Sequence, residues 1–193
     1  MALVLITPPD VEPVTLQEAK AHLRIDGTEE DALITALITA AREYCEACQS
    51  RAYLEQTWEL VLDAFPKEAY IELPRPPLRS IVSVKYIDKD GAETTWDPTN
   101  YVVDTASQPG RLVLAYGKTW PAVTLRPAGV RVQYKAGYGT AASAVPARVR
   151  QAMLLLIGHW YEHRETVNIG NIVTEIPMAA EALLWQDRVV TFG

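Results

Sequence analysis

Residues 146–164 read PARVRQAMLLLIGHWYEHR. Proline suits the first helical position, where no backbone N–H is needed and φ is already set. Arg148 and Arg150 stand at the near end, and Glu162, Arg164 and Glu165 at the far end. Between them, Ala152 to Ile157 carries no polar side chain. A helix apolar around its whole circumference has to be covered on several sides. The apolar run falls short of the ~20 residues that a bilayer span needs. The stretch therefore predicts the central helix of a soluble core.

Its partners are legible on both sides. Upstream, Glu29, Glu30 and Asp31 follow Thr28, where the positive end of a helix dipole favours acids. Leu33, Leu37, Ala41, Tyr44 and Cys48 recur at helical intervals, and Ile34, Ile38 and Cys45 widen the stripe. This predicts a long amphipathic helix over 28–50. Thr15-Leu16-Gln17-Glu18 has capping-box spacing and opens a shorter helix that stops near Asp26-Gly27. Downstream, a last helix follows Pro177 and carries Leu183, Leu184 and Trp185. Residues 166–176 read as a loop, with Asn168, Gly170 and Asn171 as loop formers. Residues 1–13 read as an extended arm, because Pro8, Pro9 and Pro13 exclude helix.

From Thr57 the period changes from near 3.6 to 2. Trp58, Leu60 and Leu62 alternate with Glu59 and Val61, and Val82, Val84 and Tyr86 alternate with Ser83 and Lys85. Tyr101–Val103, Leu112–Leu114 and Val130–Tyr134 add further strands, and Asp90-Gly91 signals a tight turn. Pro74, Pro76 and Pro77 cannot donate to a ladder, so that piece is an edge or a connection. The expected fold is α+β: a bundle of about four helices from residues 1–56 and 137–193, with an inserted antiparallel β unit at 57–136.

Length and composition narrow the function. A chain of 193 residues, 49% hydrophobic and 22% charged, can bury a core without metal or disulfide staples. A net charge of −6 argues against a dedicated nucleic-acid binder, because phosphate affinity rests on clustered Lys and Arg. It does not oppose a surface that DNA merely slides past. Two cysteines make no disulfide framework. The N-terminal apolar run lacks a basic flank and is broken by Pro8-Pro9, so synthesis in the cytosol is expected.

Three patterns invite chemistry. His159, Glu162 and His163 match H-x-x-E-H, in which two histidines hold zinc and the glutamate activates water. A third protein ligand is missing from the pattern; His22, Glu175 or Glu181 would have to supply it, and the plainer reading is the polar end of a buried helix. Cys45 and Cys48 lack the second pair of a structural zinc site and read as small buried hydrophobes. Trp96 and Trp120 would line the concave aromatic site of a β-rich carbohydrate or host-surface binding module. No catalytic residue, cofactor site or metal site is expected. Trp185 beside the apolar tail reads instead as a contact for a partner.

Several segments together carry a resemblance. They are Thr15-Leu16-Gln17-Glu18-Ala19-Lys20-Ala21-His22-Leu23-Arg24, Ala40-Ala41-Arg42-Glu43-Tyr44, Gln56-Thr57-Trp58 and Leu73-Pro74-Arg75-Pro76-Pro77-Leu78. Val84-x-Tyr86-x-Asp88-x-Asp90-Gly91, Ala136-Gly137-Tyr138-Gly139, Val145-Pro146-Ala147, Gln151-Ala152 and Trp160-Tyr161-Glu162-x-Arg164 follow in order. From about residue 14 to 187 this set resembles the head–tail connector, or adaptor, proteins of long-tailed bacteriophages and prophages. The resemblance implies a helical connector with a β insertion and no catalytic motif. It implies a dodecameric ring under the portal at the capsid vertex, assembled in the bacterial host cytoplasm and carried in the virion, with no membrane partner. The C-terminal segment would dock onto the portal, a tail-side stopper or tail-completion protein would bind below, and DNA would pass without sequence recognition. An isolated subunit would be monomeric where the portal supplies the template. Leu184, Trp185, Val189, Val190 and Phe192 are the portal-binding candidates, and Arg42, Glu43, Arg51, Arg75 and Arg79 the subunit-interface candidates.

Overall fold

The computed structural model describes residues 1–123, 126–163 and 177–189. The chain divides into two compact units, one of Asp10–Leu54 with Gly139–Gly193 and one of Met1–Pro9 with Glu55–Tyr138.

The first unit is helical: α1 (Leu16–Leu23), α2 (Asp31–Gln49), α3 (Ala147–Glu162) and α4 (Met178–Trp185). The capping box forms as its spacing predicts. Thr15 Oγ1 accepts the Glu18 N–H at 3.2 Å, and Glu18 accepts the Thr15 N–H at 2.9 Å. That backbone bond, helped by Arg150, holds the Glu18 carboxyl below its ordinary pKa. Helix α3 is the expected centre and packs against α1, α2 and α4. Val149, Ala152, Met153, Leu156 and Ile157 are fully buried. Edge-on packing of Trp160 against Tyr44, with centroids 5.9 Å apart, ties its far end to α2. No helix among the described residues is long and apolar enough to cross a membrane.

Helix α2 turns a slightly different face inward from the one its periodicity suggests. Ile34, Ile38, Ala41, Cys45 and Gln49 are buried, whereas Leu33 is exposed and Leu37, Tyr44 and Cys48 are half-buried. Apolar residues occupy two stripes offset by one position, about 100° apart. Arg42 and Glu46 also lie inside, where they pair with each other, so the inner stripe is not purely apolar.

The second unit holds two antiparallel sheets. The larger has strand order β1 (Ala2–Thr7), β2 (Gln56–Leu62), β8 (Val130–Ala136), β4 (Leu78–Ile87), β5 (Glu93–Thr95). The smaller runs β3 (Tyr70–Leu73), β7 (Gly110–Leu114), β6 (Tyr101–Asp104). Leu60, Leu73, Leu78, Val84, Leu112, Val130, Val132 and Tyr134 form the core. The first residue of β7 meets β4 closely: a Cβ on Gly110 would sit 2.4 Å from Leu78 Cβ. Pro74 to Pro77 is the connection between β3 and β4.

Two expectations change. The arm over 1–13 is in part a strand, because Ala2 to Leu5 pair residue by residue with Val61 to Trp58. Met1–Pro9 therefore belongs with the sheets, not with the 1–56 helical segment. Such pairing joins residues more than 50 apart, and no local period announces it. Val82, expected to point the same way as Val84, is 50% exposed, because the pairing with β8 shifts register between Ile81 and Ser83. A bulge of this kind flips alternation on one side of itself.

Candidate assembly surfaces

The C-terminal half of α2 and helix α4 form the richest polar arrangement in the helical unit. Gln49, wholly buried, donates from Nε2 to the Leu184 carbonyl at 2.6 Å and accepts the Tyr53 hydroxyl at 2.7 Å. Its own carbonyl accepts the Val189 N–H at 3.0 Å. Arg51 Nε donates to the Asp187 carbonyl at 2.6 Å, and Arg148 pairs with the Asp187 carboxylate, Nε to Oδ2 at 2.7 Å. Most of these bonds end on backbone, so they fix where the chain after α4 runs whatever its side chains are.

One face of α4 is thereby pinned, with Ala180 and Leu184 buried. The opposite face is also apolar. Met178 is 79% and Trp185 65% exposed, and Ala182 is exposed on the same side. Positions i, i+4 and i+7 share one face of a helix. The Arg188 guanidinium lies 5.1 Å from the Trp185 ring centroid. Beside them runs a groove of about 190 Å³ lined by Tyr44, Ala47, Cys48, Glu181, Trp185 and Arg188. The Tyr44 hydroxyl is pushed up to about 12, chiefly by its hydrogen bond with Cys48, and burial pushes the Cys45 thiol up to about 12. Both stay protonated at neutral pH, which leaves this surface free of reactive thiolate on Cys45.

The candidates divide accordingly. Trp185 is exposed, Val189 is half-buried, and Leu184 is a core residue that seats α4. Val190 and Phe192 lie outside the described residues. Arg42 is likewise committed within its own unit: Nε donates to Glu12 at 2.8 Å and a terminal nitrogen to Glu46 at 3.0 Å. Burial opposes its charge, but Glu46 and Glu12 outweigh that and raise its pKa. Arg51 is buried on Asp187. In the sheet unit, Arg75 stacks over Trp58, and Arg79 pairs with Glu55 at 2.9 Å while donating to the Tyr138 carbonyl. Glu43 keeps a 67% exposed side chain, 3.5 Å from Arg42.

The histidines and tryptophans of the chemical patterns make local packing contacts, and Glu175, a third-ligand candidate, lies outside the described residues. His159 and His163 stack with centroids 4.6 Å apart, and His163 Nδ1 lies 2.9 Å from the His159 carbonyl. A carbonyl only accepts, so this contact suits the tautomer with the proton on Nδ1 and the lone pair on Nε2. Among the described residues no three His, Cys, Asp or Glu side chains gather as a metal site. Trp96 and Trp120 spend their faces on Phe65 and on each other, at 5.7, 4.9 and 5.3 Å. Trp96 is buried in this cluster, and Trp120 is half-buried with one face stacked on Phe65.

Gln49, Asp187, Arg148 and Arg188 are the residues that sequence reasoning missed. Arg148 and Gln49 stand in stretches read as helices, but nothing local links Arg148 to Asp187, 39 positions away.

With this geometry in hand, comparison with known proteins decides the class. Residues 12–174 match the family model described as head completion protein. The chain belongs to the head completion protein family. No curated protein matches it. Among solved structures it is similar to a chain from the neck of an empty gene transfer agent particle computed with C6 symmetry, at 25% identity, TM-score 0.82, covering 100% of this chain and 97% of that one. A chain from the virion of a native gene transfer agent particle gives 25% identity and TM-score 0.79 over the same shares. A third, from the native particle's neck computed with C12 symmetry, shares the fold at 23% identity, TM-score 0.76 and the same coverage. This head completion protein is a head–tail connector, and its family and neighbours are structural components of the phage-like head–tail junction. The zinc-hydrolase and carbohydrate-module alternatives find no support.

Proposed function

We propose that the protein forms a ring of about twelve copies beneath the portal, a heterologous closed assembly in which each subunit uses two different surfaces. The observation that carries the portal-facing half is α4. Hydrogen bonds pin one side of that helix, and its outer side presents Met178, Ala182 and Trp185 to solvent. A helix apolar on both sides calls for a second cover. Trp185 is the anchor, with Val189, Val190 and Phe192 continuing the contact and Leu184 holding the helix in place. Glu43 and Arg79 are the interface candidates whose side chains stay accessible; Arg42, Arg51 and Arg75 support the surfaces from behind.

The chain's net charge of −6 fits a lumen that DNA traverses without being held. A stopper or tail-completion protein closes the tail side, and assembly takes place in the host cytoplasm before the ring becomes part of the virion. Native mass spectrometry with and without portal protein tests the ring. In the same assay Trp185→Ala is expected to weaken portal binding roughly 30-fold, about 2 kcal/mol for a buried aromatic hot spot, while leaving the melting temperature in place. Undiminished binding by that variant removes α4 as the portal contact.

A further inference from the structure

Strand β1 is an open edge of the larger sheet, since it pairs with β2 on one side and ends the strand order. Its sequence, ALVLIT, contains no charge and no proline. Val4, Leu5 and Ile6 are 44, 41 and 45% exposed, so apolar side chains stand uncovered on both faces of the strand, as far as the described residues reach. Proteins blunt exposed edges with Lys, Pro, bulges or a covering element, because a row of free N–H and C=O groups recruits another strand. Among the described residues the devices at this edge are a register shift between Leu5 and Thr7 and Pro8-Pro9 just beyond the strand, which leave Ala2–Leu5 unblunted. An edge of this kind is built to be covered.

The same unit has a second apolar edge. Strand β6 ends the smaller sheet, with Val102 58% exposed. A groove of about 370 Å³ runs along it, lined by Ile81, Val82, Tyr101 and Val103 and rimmed by Arg79, Ser80 and Thr105. The paired stretch of β4 with β5 covers only Lys85–Ile87, so no strand covers the β5 side of β4 over 79–83 among the described residues. The other two edges match β1 poorly. Strand β5 is three polar residues with Glu93 tied to Lys85, and Tyr70 at the start of β3 is stacked by Arg111.

Cyclic symmetry makes neighbours meet through two unlike surfaces. We propose that the occupant of β1 is a second copy of this chain: β1 of one subunit lies along the β6 edge of the next, joining their sheets by strand addition. Backbone hydrogen bonds would supply the pairing, and the apolar side chains on one face of β1 would fill the groove beside Val82 and Val103, with those on its other face beside Val102. This rests on the ring reading above. It goes beyond that reading by placing the intersubunit contact on the sheet unit and naming both strands.

The test mixes full-length Val4→Cys protein with Val102→Cys protein, both in a Cys48→Ser background, alone and on portal protein. Oxidative cross-linking is read on gels and ring formation by native mass spectrometry. Rings with a cross-link that appears only in the mixture are the expected result. A second variant, Leu5→Lys, places a charge at a solvent-exposed edge and is expected to abolish rings while the circular-dichroism melt stays unchanged. Rings that form without the mixed cross-link, or Val4→Cys chains that link to one another, overturn the β1–β6 contact and leave the ring intact. Absence of rings in every arm overturns the ring reading, and this contact with it.

Discussion

Replacing Gln49 by leucine tests whether polar bonds, rather than apolar packing, hold α4 against α2. The side chain is wholly buried and makes two bonds, to the Leu184 carbonyl at 2.6 Å and from the Tyr53 hydroxyl at 2.7 Å. Leucine matches the volume but offers neither group. A buried polar group stripped of its partner costs about 1–3 kcal/mol, so two affected groups give a loss of roughly 2–6 kcal/mol. Part is returned by the better transfer of leucine into an apolar site, which places the expectation in the lower half of that range. Urea denaturation followed by far-UV circular dichroism reads the loss as a lower midpoint at constant slope. Hydrogen exchange reads where it falls. The Val189 amide, held by the Gln49 backbone carbonyl, should lose protection along with α4, while the amides of β2, β4 and β8 keep theirs. A variant within about 0.5 kcal/mol of the parent, with Val189 still protected, would refute the reasoning. Leu184 packing alone would then seat the helix.

Two glycines should respond in opposite directions. Gly110→Ala drives a methyl group into Leu78 at 2.4 Å and is expected to destabilise the sheet unit by about 1–3 kcal/mol, read in the same denaturation assay. Gly158→Ala, inside α3, meets only the His22 ring, Nε2 at 3.4 Å and Cδ2 at 3.6 Å, ordinary contacts, and should stabilise the helix by about 0.5–1 kcal/mol. The acid limb of stability is also assigned. Lys135 bonds the Glu55 carboxylate and, with Arg79, lowers its pKa from 4.5. A depressed folded-state pKa gives stability that is present above the unfolded value and lost as pH falls through the folded one. Glu55→Gln should therefore flatten the midpoint-versus-pH curve below about pH 4.5 and change little of its slope at neutral pH; an unaltered acid limb argues that the ion pair is inert.

The sequence by itself determined the elements and the family. Periods of 3.6 and 2 are local properties of neighbouring residues, so α1, α2, α3 and α4 and most strands of the β unit were legible, down to the Thr15–Glu18 cap. Ordered segments from Thr15 to Arg164 carried the resemblance to head–tail connectors, and residues 12–174 carry the family match. What chose between neighbouring options was tertiary. Two apolar stripes on α2 are equally good helices until the packing of α1, α3 and α4 against it decides which is covered. The N-terminal arm is merely extended until β2 supplies its hydrogen bonds. Leu184 and Trp185 are adjacent apolar residues, and only long-range contacts such as the bond from Gln49 to the Leu184 carbonyl, across 135 positions, decide that Leu184 is buried and Trp185 exposed. Backbone groups are the same at every residue, so a contact that ends on one leaves no mark in the sequence for a reader to find.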